Sequence, residues 1–344
     1  MKLKAAFLGV AHIHTPGFIN TLNKRRDDVT VKAVYDRDTA RAERRAAELN
    51  GATAIGDFHA ILEDPEIDAV IVCSETTEHL DLVIASARAG KQIFCEKPLG
   101  LGAADAAAMA SAIKEAGVTF QTGFFMRGQP LHQWIKAVVS SGVLGKITRV
   151  RYTNCHQAAL DGWFDTEWRW LADASLAGGG AMLDLGAHVL DLVIDAFIPT
   201  EGEIVGVAGA LGNRGGRYGA EIDEYGAALL TFQSGAIAEI EASWVDPSLR
   251  SPVEVFGTEG QIQLLNDGVR FYSKNVDGAD GTQTVTDFPA GAPHAFELFW
   301  NSLLGLPLEV PLISVDQAAL GSTIMERIYE AAGRRPTVPA LQRK

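Results

Sequence analysis

A chain of 344 residues is long for one compact core, and its 47% hydrophobic and 21% charged residues suit about two ordinary soluble domains. Its 30 Lys plus Arg against 43 Asp plus Glu leave a net charge of −13, which argues against a general binder of nucleic acid while leaving room for a local phosphate pocket. Cys73, Cys95 and Cys155 show no CxxC spacing, so neither a disulfide framework nor a zinc ribbon is expected, and a reducing cytoplasm is the simplest compartment.

The start, MKLKAAFLGVAH, places two lysines before a short apolar run, as a signal peptide does. No small-x-small cleavage pattern follows, and no apolar run approaches the ~20 residues of a membrane span. A buried first strand over 3–9 explains it better. Thr15 and Pro16 then read as the N-cap and first residue of a helix reaching about residue 24. A second strand is expected over 29–35 and a charged amphipathic helix over 38–49. Strands over 69–73 and 92–95 flank a helix over 77–89 that Gly90 stops. An Ala-rich helix over 103–116 and a strand over 118–123 continue the alternation. Apolar strands without a polar face imply burial on both sides, hence a doubly wound parallel sheet of Rossmann type.

After about Met126 the texture changes. A helix over 130–140 leads to a strand over 146–155, then to an aromatic- and glycine-rich stretch over 163–180. From 202 to 272 several strands are joined by Gly, Asn and Asp turns, and two helices follow over 294–304 and 315–331. The fold expected is α/β: a dinucleotide-binding domain over 1–124, then an α+β domain over 125–344 with an open, mostly antiparallel sheet. The C-terminal helix is free to return to the first domain.

A strand, a tight glycine turn and a helix start together make an anion site, because unpaired N–H groups and the helix dipole face the phosphate. Here the turn reads Gly9-Val10-Ala11-His12-Ile13-His14. Against GxGxxG only Gly9 survives, and His14 in the third glycine's place should alter how the first helix packs. Asp36 at the end of the second strand can accept both hydrogen bonds of an adenosine ribose and repel a 2′-phosphate, which favours NAD over NADP. Arg37 beside it weakens that preference, since a guanidinium pairs with a 2′-phosphate or stacks on adenine. A helix N-cap is the other reading of Asp36. His12 and His14 form a bare HxH pair in a turn, expected to face solvent or phosphate, with no metal.

The segment Gly90-Lys91-Gln92-Ile93-Phe94-Cys95-Glu96-Lys97-Pro98-Leu99 closely resembles the Gfo/Idh/MocA oxidoreductases, the glucose–fructose oxidoreductase and inositol dehydrogenase family. Upstream, Cys73-Ser74-Glu75-Thr76-Thr77-Glu78-His79 is similar to that family's Thr-Pro-Asn-x-x-His pattern. His79 matches, Ser74 stands for the Thr, and the Pro is missing. Downstream, residues 178–191 look like its GGGxxxDxGxHxxD segment in full, and 315–338 resemble its returning helix and tail. The resemblance spans nearly the whole chain. It implies a nucleotide site that includes Cys73, Ser74, Glu75, His79, Glu96 and Lys97 beside the turn residues.

Asp184 and His188 are four apart and share a helix face, with Asp191 three further on. A carboxylate beside an imidazole fixes its tautomer and favours its charged form. Oxidation of a secondary alcohol needs a base for the hydroxyl proton. His188 is that base, Lys97 stabilises the developing alkoxide, and Asp184 orients the substrate and His188, a set that the resemblance also implies. Read without it, Asp184 and His188 are a satisfied helix pair. Gly186 inside the helix suggests close approach by cofactor or sheet.

For substrate, Arg127 is expected beneath the nicotinamide, while His156 and Arg169 could supply polar contacts. Trp163, Phe164, Trp168, Trp170 and Trp244 could stack on a sugar's C–H face or form core. The expectation is an NAD-dependent dehydrogenase of a sugar or cyclitol, with NADP the other candidate cofactor, no nucleic-acid or membrane partner, and a homodimer or homotetramer. The alternatives are a redox-neutral NAD-dependent glycosidase and a non-catalytic nucleotide-binding regulator of the same fold.

Overall fold

The structure, a computed structural model, describes residues 2–334. In the first half, β1 (Leu3–Val10), β2 (Val29–Tyr35), β3 (Thr53–Ala54), β4 (Ala69–Cys73), β5 (Gln92–Cys95) and β6 (Phe120–Thr122) form one parallel sheet in the order β3-β2-β1-β4-β5-β6. The crossovers carry α1 (Thr15–Lys24), α2 (Thr39–Ala47), α3 (Phe58–Glu63), α4 (His79–Arg88) and α5 (Ala103–Ala116). Strand order reverses between β1 and β4, and a crevice opens at their carboxyl ends, the usual ligand position in such sheets. Every residue of β4 is buried, as a strand covered on both faces must be.

Local signals differ from expectation at helix starts. His14 rather than Thr15 precedes α1, and Asp38 rather than Asp36 caps α2, its carboxylate accepting the Arg41 N–H. A 3₁₀ turn, Thr76–Glu78, leads into α4. β3 and α3, which the sequence left unpredicted, have two and six residues, too few to show a period.

The second half opens with α6 (Pro130–Ser140), β7 (Ile147–Cys155), α7 (Ala174–Ala177) and α8 (Ala187–Glu201). Then come β8 (Ile204–Gly212), β9 (Tyr225–Phe232), β10 (Ile237–Ser243), β11 (Val253–Gly257), β12 (Gly260–Leu265), β13 (Gly268–Ser273) and β14 (Asp280–Val285). The eight-stranded sheet runs β14-β13-β12-β11-β7-β10-β9-β8, antiparallel except for the β7–β10 pair. α8 lies against β7 and β10 and is buried along most of its length. The alternating outward positions leave Val205, Leu229 and Ile237 exposed.

Two last helices return to the first sheet. Phe296, Phe299 and Trp300 of α9 (Ala295–Leu303) share a core with Phe7, Phe18 and Phe94. α10 (Val315–Ala331) packs along α5, where Glu326 accepts the Ala103 N–H at 2.9 Å. The tail resemblance beyond 334 lies outside the described residues. No helix among them is long and apolar enough to cross a membrane.

Candidate active site

Gly9 closes β1 with φ of 83°, and a Cβ there would sit 2.3 Å from Ser74 Cβ, so only glycine lets this turn pass the end of β4. The turn is then pinned: the His12 N–H donates to Cys73 O at 2.9 Å and the Val10 N–H to Asp36 Oδ2 at 2.8 Å. Ala11 is buried and its carbonyl accepts Trp170 Nε1 at 2.9 Å, while half-buried Ile13 packs on the second half's core. Asp36 is also buried; its Oδ1 accepts from the Asp38 N–H and Arg41 Nη2. Arg37 stands at the rim on Glu78 at 3.2 Å; burial, with Glu75 nearby, pushes the Glu78 carboxyl up to about 7. The Ser74 hydroxyl donates to Glu75 O.

Two residues expected at the nucleotide have their side chains turned inward. The Cys73 thiol packs in the apolar core with Phe7 and Ile71, so only its backbone reaches the turn. His79 is buried; its Nδ1 donates to Pro98 O at 3.1 Å, which steadies the loop after β5, and its Nε2 is buried without a partner.

His12 does not face solvent. Its ring is 2% exposed beneath Trp170, and burial pushes it down to about 3, so it is neutral. Buried Glu96 lies opposite: Oε1 accepts His14 Nδ1 at 3.0 Å and Oε2 accepts the Lys97 N–H at 3.0 Å. Burial opposes ionisation of Glu96, but the hydrogen bond from His14 and the Lys97 charge outweigh it and hold the carboxyl well below the usual range. Ligand-type atoms of His12, His14 and Glu96 lie within 4.8 Å of one another. The His14 N–H donates to His12 Nδ1 at 3.2 Å, which leaves the neutral ring's proton on Nε2, where a metal would need a lone pair. Glu96 and His14 are likewise engaged with each other.

Lys97 follows β5 at a cis Lys97–Pro98 peptide and is 3% exposed. Its Nζ donates to Asp184 Oδ1 at 2.6 Å, and Trp244 Nε1 donates to Asp184 Oδ2 at 3.0 Å. Burial would raise Asp184, yet the Lys97 charge and the hydrogen bonds from Lys97 and Trp244 hold it far below its ordinary value. Lys97, Asp184 and His12 line one pocket with Thr76, Trp170 and Leu183. Asp184 sits in a π-helical turn, Met182–Gly186, just before α8. A Cβ on Gly186 would meet Met182 Sδ, while Ala242 of β10 would lie at ordinary contact distance, so the Met182 side chain is the neighbour that would have to shift.

The electrostatics of His188 reverse the expectation. Both Asp184 oxygens serve Lys97 and Trp244, and burial followed by the Lys97 charge drives the imidazole well below its ordinary value despite the carboxylate. It is neutral, edge-on to Phe124 and Phe125, with a buried Nδ1 that has no partner. His156 is near enough for its titration to feel Asp184 and Lys97, and its Nδ1 accepts the Ala158 N–H.

Other expected residues point elsewhere. Arg127 donates to Asp191 at 2.7 and 2.5 Å, to Asp195 at 3.1 Å and to Gln317, so four of its five N–H donors are engaged within the protein and Asp191 is taken from the Asp184 face. Arg169 leans on the Tyr218 ring and lines a separate hollow, while Trp168 packs on the second half's core. The segment around them is tied to the first half twice: Trp170 donates to Ala11 O in the glycine turn, and Arg45 of α2 donates to Glu167 at 2.8 Å.

Asp223 was missed. Its buried carboxylate accepts the Gly180 and Met182 N–H groups at 2.8 Å and the Tyr329 hydroxyl at 2.7 Å, fixing the turn that aims Asp184. A Cβ on Gly180 would lie 1.9 Å from Asp223 O, so the glycine run exists for this approach. No local pattern marks Asp223, because all its partners are distant in sequence.

A sequence profile described as the oxidoreductase family, NAD-binding Rossmann fold, matches residues 3–124, and one described as the GFO/IDH/MocA C-terminal domain matches 132–263. The chain is 32% identical to myo-inositol 2-dehydrogenase of Thermotoga maritima over 81% of its length and 78% of that protein's. It is 34% identical to scyllo-inositol 2-dehydrogenase (NAD+) of Bacillus subtilis over 64% of its own length and 62% of that protein's. Among solved folds, levoglucosan dehydrogenase in complex with NADH and levoglucosan superposes with a TM-score of 0.81 at 21% identity, covering 97% of this chain and 98% of that one.

Proposed function

Because this chain belongs to the Gfo/Idh/MocA family of NAD-binding oxidoreductases, we propose that it oxidises a secondary alcohol of a cyclitol or sugar with NAD. The residues present suit the cofactor: the Gly9 turn opens on α1, Asp36 ends β2, and Glu75 Oε2 is a buried acceptor with no partner. Gly9, Ala11, His12 and Ile13 would flank the diphosphate and Asp36 with Arg37 the adenosine end; Ser74, Glu75 and Glu96 complete that surface. When bound, NAD supplies the hydride acceptor.

The observation that carries the reading is the Lys97–Asp184 pair, brought to one pocket from the end of β5 and from the turn before α8. Lys97 would donate to the substrate oxygen and stabilise its developing negative charge. Neutral His188 would take the hydroxyl proton, since an imidazole already protonated could not. Asp184 holds Lys97 in place and is itself held by Trp244. His156, near enough to Asp184 and Lys97 to feel both charges, would contact substrate hydroxyls. The names of the inositol dehydrogenases support a cyclitol first, a sugar second.

Residues 1–124 would carry the cofactor and the remainder the substrate, and the exposed apolar face of the second sheet would pair subunits into a homodimer or homotetramer. Purified protein with NAD, and separately NADP, should be offered a panel of inositols, aldoses and disaccharides while NADH absorbance is followed. NADH formed with one polyol class supports the reading. Aglycone release without NADH would move it to a redox-neutral glycosidase.

A further inference from the structure

We propose that Glu75 is a second, independent determinant of cofactor choice: with Asp36 it forms a carboxylate pair, bridged by Arg41, that accepts the adenosine ribose hydroxyls and rejects a 2′-phosphate. This rests on the NAD reading above.

Asp36 is heavily used within the protein. Oδ2 accepts the Val10 N–H at 2.8 Å; Oδ1 accepts the Asp38 N–H at 2.8 Å and Arg41 Nη2 at 2.7 Å. The same Arg41 nitrogen reaches Glu75 Oε1 at 2.8 Å, so one guanidinium nitrogen couples the end of β2 to the loop after β4. All three side chains are nearly closed to solvent, at 1%, 4% and 10% exposure for Asp36, Glu75 and Arg41. Glu75 Oε2 is buried with no donor. An ionised oxygen stripped of water and left without a hydrogen bond is costly, so its retention marks a position that a ligand's donor fills.

Charge decides which ligand. Two carboxylates share one guanidinium here, which leaves an excess negative charge, and the neighbouring Arg37 and Glu78 pair with each other at the rim. A ribose diol brings two donors to that surface. A 2′-phosphate brings only acceptors and negative charge, in a poorly screened site.

Binding of NAD, NADP, ADP and 2′-deoxy-ADP to the full chain should be measured by titration calorimetry, with thermal melts as a folding control. The unmutated protein should prefer NAD. Glu75→Gln keeps the shape and removes the charge; it should narrow the NAD-to-NADP ratio of dissociation constants by about tenfold or more. It should also shrink the advantage of ADP over 2′-deoxy-ADP. Glu75→Thr carries the same expectation, so misfolding of one variant leaves the other to decide. A folded variant whose ratio stays within about twofold of the original overturns the role of Glu75. If the unmutated protein binds neither nucleotide, the NAD reading itself fails, which is a different result.

Discussion

Lys97 Nζ meets Asp184 Oδ1 at 2.6 Å although 87 residues separate them, and the pair joins the parallel sheet to the turn before α8. Lys97→Met keeps the stem and removes the charge. The expected outcome is a kcat lower by ~100-fold or more, the scale of a positioned catalytic group. Melting should also shift down, since Asp184 is left buried without its cation. A variant that turns over at close to the original rate would remove Lys97 from the mechanism.

Trp244→Phe tests how Asp184 is held. The ring volume stays but the Nε1–H on Asp184 Oδ2 is lost, and the buried oxygen should cost about 1–3 kcal/mol of stability. Trp244 positions without touching substrate, so kcat should drop while KM holds. A rise in KM alone would instead place the indole against the substrate.

His188 is a base held neutral by burial and by Lys97. Activity should rise with pH only through a midpoint below 6.5, and stay flat above it. His188→Asn should abolish that acidic limb and lower kcat by ~100-fold. The pH profile of kcat/KM, for both proteins, is the check; an acidic limb unchanged in the variant assigns the proton to another group.

The same burial makes the fold acid-sensitive. His12 and His188 are neutral when folded, yet their unfolded values are near 6.5. The unfolded chain therefore binds more protons below that pH. Stability from both groups is complete above 6.5 and is lost as pH falls below it, toward about 3 for His12. Tm measured across that window should decline, and His12→Gln should flatten the decline.

Arg127→Leu leaves Asp191 and Asp195 without their buried guanidinium, and breaking such a pair costs about 3–5 kcal/mol. A large fall in Tm with little change in the substrate KM is expected. A selective KM effect in a stable protein would restore Arg127 to the substrate site.

Much of the parallel half is legible in the sequence because its strands are continuous apolar runs bounded by glycine. Sequence periodicity finds elements that repeat their own pattern; β3 and α3 are too short to do so. Lys97, Asp184 and His188 are marked by motifs. The state of His188 is not, because desolvation depends on what covers a ring, and Phe124 and Phe125 are distant in the chain. Asp223 and Tyr329 are silent for a related reason. Their bond joins residues 106 apart, and a carboxylate accepting backbone N–H groups leaves no residue pattern behind.

The return of α9 and α10 has a consequence for how the chain is made. The core around Phe7, Phe18 and Phe94 is finished by Phe296, Phe299 and Trp300, and α5 is covered by a helix whose Glu326 lies 223 residues beyond Ala103. At synthesis rates of about 5–20 residues per second, the first sheet waits on the order of ten seconds or more for its last partners to leave the ribosome. The nascent N-terminal half meanwhile exposes apolar surface that only the chain's end can cover. A truncation before α9 should therefore remove more than a substrate half: it should leave an N-terminal half prone to aggregation, the reverse of what the order of the sequence suggests.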